Sequence, residues 1–204
     1  MAKGKLFVIS GPSGAGKGTI CKEVLASERD IKMSVSMTTR SPREGEINSV
    51  HYHFVDHDFF RNLIEEDGFL EYARVFGNYY GTPKKQVNEW LDHGTDVILE
   101  IDVQGALQVK EAYPDGILIF ILPPSLEELK RRIITRGSET EETMQIRLGE
   151  AVHEISTIDR YDYRVINEDL QTAVERVIAI ITAEKCRLND KESLEIISRY
   201  KEDL

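Results

Sequence analysis

The chain has 204 residues, 41% of them hydrophobic, and a net charge of -10, which is enough apolar material for one sizeable core but not for two full domains. That acidic balance repels nucleic acid and anionic membranes at long range, so a phosphate-bearing partner has to be met by a local cluster of basic side chains. No apolar run reaches the ~18 residues of a membrane span, and "MAKGKLFVIS" turns into a glycine loop instead of a cleavable apolar segment, so a soluble, cytoplasmic protein is expected.

In chain order, "KLFVIS" (5–10) is short, apolar and ends at glycine, as a buried parallel strand does. A glycine loop follows, and from Lys17 to about Ser27 the pattern is helical. Between Met33 and Tyr80 the texture changes to short alternating stretches ("SVSMTT", "HYHFV", "FLEYARV", "NYYG"), broken by glycine, proline and one helix over Asp56 to Asp67. These predict a small, mainly antiparallel insertion. Helices are then predicted at about 83–93, 103–113, 125–135, 141–160 and 170–187, alternating with strands at 96–101, 117–122 and, more weakly, 163–166. The charged tail after Leu188 carries enough apolar residues for a short terminal helix. Strands alternating with helices predict an α/β core whose parallel sheet is covered on both faces.

"GPSGAGK", from Gly11 through Pro12, Ser13, Gly14, Ala15 and Gly16 to Lys17, satisfies G-x-x-x-x-G-K between a strand and a helix, the context a phosphate-binding P-loop requires. Consecutive N–H groups wrap an anion, the helix start adds positive partial charge, and Lys17 brings an ammonium to the β- and γ-phosphates. Gly18 stands where the usual motif has Ser or Thr, and the hydroxyl comes one place later, at Thr19. "DVQG" at 102–105 fits the D-x-x-G of GTP switch proteins, but the N-K-x-D that reads guanine in those proteins does not occur.

A second anion site is suggested by "SVSMTTRSPREGE" (34–46), where Arg40 and Arg43 flank a proline-containing turn and could grip a monophosphate bidentately. Tyr52 and Tyr80 could complete that grip as neutral donors; the alternative for this stretch is a solvated charged hairpin. His51 and His53 share a strand face in the sequence pattern, yet no further ligand spacing accompanies them, so packing or surface roles are expected for them and for His57. Cys21 and Cys186 lack metal-ligand spacing and read as reduced and structural.

The blocks "GPSGAGKGT", "SVSMTTRSPREGE", "FLEYARVFGNYYGTP", "LEIDVQGA", "FILPPSLEELKRR", "RGSETEE" and "VINEDL" follow one another as in the guanylate kinase family, and this resemblance runs from about Lys5 to Glu184. The form "GKGT" is also that of nucleoside monophosphate kinases such as adenylate kinase. The resemblance implies a P-loop NTPase-type three-layer core at 1–35 and 84–204, a mixed α/β GMP-binding insertion at 36–83, and a helical lid at about 125–155. It implies transfer of the γ-phosphoryl group of ATP to GMP, and to dGMP as well, with Mg²⁺ accompanying ATP and no nucleic-acid or membrane partner. Arg40, Arg43, Tyr52 and Tyr80 would hold the GMP phosphate, while Ser36, Glu71 and Thr82 would read the guanine. Lys17, with Gly18 and Thr19, would meet the ATP phosphates, Arg136 and Arg147 would close onto them from the lid, and Asn167 would lie near the adenine.

Arg132 is expected either at the ATP site or as one more helix-surface arginine. Glu100 and Asp102 lie on one strand face. They suit either a Mg²⁺ held through water and the GMP nucleoside, with Asp102 the favoured bridge, or a pair of capping carboxylates. Two other functions share much of this pattern: a phosphopeptide-binding module that has lost catalysis, and a P-loop kinase with a different acceptor.

Overall fold

The computed structural model describes residues 3–28, 30–75, 77–135, 141–188 and 190–202. Strand β1 (Leu6–Ser10) is buried along its whole length. It is the middle strand of an all-parallel sheet with β2 (Ile31–Met33), β7 (Asp96–Glu100), β8 (Ile117–Leu122) and β9 (Tyr163–Ile166), in the order β2-β7-β1-β8-β9.

The two-residue period of a strand sorts these apolar runs into two cores. Phe7, Ile9, Ile98, Ile119 and Ile121 face one side, where α1 (Lys17–Ser27) and α7 (Leu170–Lys185) cover them with Ile20, Val24, Val174 and Val177. Leu6, Val8, Val97, Leu99 and Leu118 face the other, under α3 (Lys84–Asp92) and α4 (Val103–Ala112), which supply Val87, Leu91, Ala106 and Val109. Burial on both faces explains why these strands read as continuous apolar runs and not as alternating ones.

A second sheet lies within residues 37–83: β3 (Met37–Thr38), β4 (His53–Phe54), β5 (Phe69–Val75) and β6 (Asn78–Pro83), in the order β4-β3-β6-β5. Its β3–β6 and β5–β6 pairs are antiparallel as expected, but β3 and β4 run parallel. Helix α2 (His57–Glu65) starts where Asp56 accepts the Phe59 N–H. It drops Phe60 between Phe69 (ring centroids 4.3 Å apart) and Tyr79 (5.2 Å), and this stack is the insertion's own small core. Edge strand β5 is tied to α4 of the main unit, because Gln108 Oε1 accepts the Tyr72 N–H at 3.1 Å.

Other differences from the sequence reading are local. The predicted 141–160 helix is α6 (Glu141–Ile155) followed by a separate short turn at Ile158–Arg160. Leu129 and Ile133 of α5 (Leu126–Thr135) pack on Leu148 and Ala151 of α6. His51 sits in a turn instead of beside His53 on a strand, and its Nδ1 accepts the Ile47 N–H. The tail forms α8 (Asp190–Glu202). No helix among the described residues is long and apolar enough to cross a membrane.

Candidate active site

The carboxyl ends of β1, β7 and β8 open on one edge of the parallel sheet, and the glycine loop turns there. Gly11 has φ 138°, and a Cβ on it would lie 2.2 Å from the Ile121 carbonyl oxygen, so only glycine lets the chain leave β1 this close to β8. Gly14 and Gly16 also have positive φ, and Gly16 caps α1 with no side-chain partner, which leaves the first helical N–H groups for a ligand. Lys17 Nζ donates to the carbonyls of Gly11 (2.6 Å) and Pro12 (3.2 Å), curling over the loop. Burial pushes its ammonium below the ordinary lysine value, while the nearby carboxylates of Glu100, Glu154 and Asp102 work against that shift.

Two cavities flank the loop. The first, of about 400 Å³, is lined by Gly14, Gly16, Thr19, Arg132, Asn167 and neighbouring residues of α5. The second, of about 280 Å³, has Lys17, Glu100 and Asp102 at its core side and Ser36, Tyr52, Glu71, Tyr80 and Gly81 at its insertion side. Lys17 lines the second cavity, while its loop neighbours Gly16 and Thr19 line the first.

In the second cavity Glu71 is 7% exposed and accepts the Thr82 hydroxyl at 2.7 Å. Burial, reinforced by the charge of Asp102, pushes its carboxyl up to about 7. A Cβ on Gly105 would sit 2.9 Å from Glu71 Oε2, so the glycine of "DVQG" serves close approach of α4 to this carboxylate. At the other end, Arg40 lies over the Tyr52 ring (5.3 Å), which in turn meets the Tyr80 ring edge-on at 6.1 Å. Arg43 shares the turn with an exposed side chain.

Residues 3–184 match the family described as guanylate kinase. A guanylate kinase of Clostridium tetani is 59% identical over 93% of this chain and 90% of its own length, and one of Clostridioides difficile is 51% identical over 99% and 98%. The crystal structure of guanylate kinase from Anaplasma phagocytophilum superposes with a TM-score of 0.75 at 36% identity, covering 92% of this chain and 89% of that one. This chain belongs to the guanylate kinase family. It is a nucleotide-binding phosphotransferase with the α/β P-loop fold.

Within this guanylate kinase fold, several side chains hold positions that sequence reasoning did not assign. Glu46 binds Arg40 with both oxygens (2.7 and 2.8 Å) and also accepts the Arg43 N–H at 2.6 Å. These contacts hold its carboxyl down at about 2. Gly45, at φ 81°, lets the turn close. The side chains of Arg40 and Glu46 are only 13% and 17% exposed, so the guanidinium is fixed in advance of any ligand. Glu46→Ala is therefore expected to raise the KM for the acceptor about tenfold while leaving that for the donor unchanged, measured by varying each substrate in turn. Glu128 plays the same part for Arg132, accepting from its Nε at 2.8 Å. Glu154 of α6 is half-buried, and its carboxyl is raised by burial against the opposing charge of Lys17. The spacing of seven from Arg147, two helical turns, was the available signal for it.

Arg147 lies exposed on α6, and Arg136 lies outside the described residues. Asp102 caps α4 by accepting the Gly105 N–H at 2.7 Å, which realises the capping reading for one of the two carboxylates. Gly18 lies close to Glu100: a Cβ there would stand 3.2 Å from its Oε1, so a side chain at 18 would have to be met by a small shift of that carboxylate. No group of three or more metal-binding side chains converges among the described residues. The donor set at this point, Glu100 and Asp102 beside the loop, suits a Mg²⁺ that keeps its waters and arrives with phosphate oxygens.

Proposed function

We propose that the P-loop cavity receives ATP and the insertion cavity receives GMP, with Lys17 between them, for the transfer that gives ADP and GDP. The observation that supports this most is the second cavity: one pocket joins Lys17 to a buried carboxylate, Glu71, that can accept two hydrogen bonds. Guanine presents N1–H and its N2 amino group side by side and suits such an acceptor. Adenine offers an acceptor at N1 and would leave the carboxylate unpaired, a mismatch worth ~10⁴ in discrimination.

The acceptor oxygen belongs to a monoester phosphate with a second pKa of about 6, so little general-base assistance is required. The harder task is to bring two polyanions into line, and the reading assigns it to fixed cations. Arg40, pinned by Glu46, and Arg43 hold the GMP phosphate with Tyr52 and Tyr80. Ser36 and Thr82 complete the guanine pocket. Lys17 and the loop amides hold the ATP phosphates and meet the charge that builds on the transferring group. Arg132, Arg136 and Arg147 belong to the lid at 125–155, and residues 36–83 act as the acceptor-binding unit. Mg²⁺, when bound with ATP, would neutralise β- and γ-phosphate charge. Glu100 and Asp102 would hold its waters.

An ADP-coupled assay across GMP, dGMP, AMP, UMP and CMP tests the reading. Turnover is expected with GMP and dGMP, and at least ~10³-fold lower kcat/KM with AMP. Folded protein that turns over AMP as well as GMP would refute the assigned acceptor pocket.

A further inference from the structure

Asn167 follows β9 and is buried. Its Nδ2 donates at 2.8 Å to the carbonyl of Ala15, a P-loop residue 152 positions away in the chain. The side chain packs against the loop, since a Cβ on Gly16 would come within 2.3 Å of that Nδ2. Asn167 is itself held at two more points. Its N–H donates to the Leu122 carbonyl at the end of β8 (2.8 Å), and its carbonyl accepts from Arg132 Nη2 (3.0 Å). Arg132 in turn is anchored by Glu128.

Ala15 is fully buried, so in the folded loop its carbonyl meets no water and depends on this partner. The peptide joining Ala15 to Gly16 is planar and trans, so a carbonyl held toward Asn167 directs the Gly16 N–H to the opposite side. A P-loop binds anions through such N–H groups. Rotating this peptide would exchange a donor for an acceptor facing phosphate oxygens. Gly16, having no Cβ, offers little resistance to that rotation.

We infer that Asn167 is a positioning residue whose amide holds the Ala15–Gly16 peptide in its phosphate-receiving orientation, with Arg132 joining that hold to α5. This rests on the donor-site reading above and deepens it, because it gives the Asn167 side chain to the loop and not to the adenine.

The test is calorimetric binding of ATP, inorganic tripolyphosphate and GMP to the full chain and to Asn167→Ala and Asn167→Leu. Leucine keeps a branched shape close to that of asparagine, with neither donor nor charge, and decides the matter if the alanine protein is unstable. Both variants are expected to bind tripolyphosphate and ATP more weakly by the same factor, about tenfold, with GMP within about twofold of wild type. Loss of ATP affinity with tripolyphosphate unchanged would mean an adenine contact and overturn the inference. An equal loss of GMP affinity would mean a general folding defect and overturn it too. Lys17→Ala serves as the control for the donor site: if it still binds tripolyphosphate as wild type does, the donor-site reading itself has failed.

Discussion

Replacing Lys17 with alanine is expected to lower kcat by about 10³-fold while GMP still binds, the pattern left by removing a group that acts on the transition state. The ammonium bridges the carbonyls that open the loop, and it is the cation that the loop presents to the insertion cavity. Its loss would leave Glu100, Asp102 and Glu154 facing the phosphates with less positive charge between them. The fold should survive, since burial already disfavours this charge and no strand depends on it. Lys17→Arg is expected to rescue poorly, because a planar fork cannot follow the curl that a flexible ammonium makes over the loop. Steady-state kinetics with GMP calorimetry checks both, and near-normal turnover in Lys17→Ala would remove the basis for placing ATP in the loop.

The second large effect is at Glu71 and is read through pH. Without GMP the carboxyl ionises near 7, whereas recognition of guanine's two N–H groups requires the carboxylate, and those donors lower its pKa in the complex. GMP affinity should therefore weaken as pH falls below 7, approaching tenfold per unit, before the phosphate's own protonation near 6 adds to the loss. Glu71→Gln should keep only that lower transition, raise the GMP KM about 10²-fold and lose most of the preference for guanine.

The stability effect runs the opposite way. A carboxyl raised from 4.5 to about 7 in the folded protein binds more protons folded than unfolded across that window. Stability contributed by the protonated form is thus complete at low pH and lost as pH rises toward 7. Glutamine avoids this loss and can still accept from Thr82. The ligand-free variant should melt higher than wild type at pH 8, by ~3 kcal/mol of stability, and nearly level with it at pH 4. A variant no more stable at pH 8 than at pH 4, relative to wild type, would show that Glu71 is not forced to ionise in a buried site.

What could be read from the sequence divides by range. The strand, loop and helix from Leu6 to Ser27 carry their signals locally, in an apolar run, three glycines and a lysine, and the structure follows them closely. Strand β2 was missed because only Ile31 of its three residues is buried; it exists through pairing with β7, where Ile31 sits opposite Asp96. The parallel β3–β4 pair has the same cause, since Met37 meets His53 across a long connection. Arg40 could be proposed as a phosphate ligand from its type alone, but the part played by Glu46 depended on knowing that Gly45 turns the chain back. The Asn167 contact with Ala15 joins opposite ends of the chain and has no local signature at all.

The Gln108 bond to β5 bears on how the protein behaves in concentrated solution. A seven-residue edge strand with open N–H and carbonyl groups is a template on which another chain can add a strand. Here α4 lies along β5, and the Gln108 amide takes up the Tyr72 N–H. The remaining outer strands of both sheets, β2, β4 and β9, are only two to four residues long. A helix at the substrate cleft thereby also shields the longest sheet border from intermolecular pairing, so loosening α4 would expose the protein to aggregation as well as inactivation.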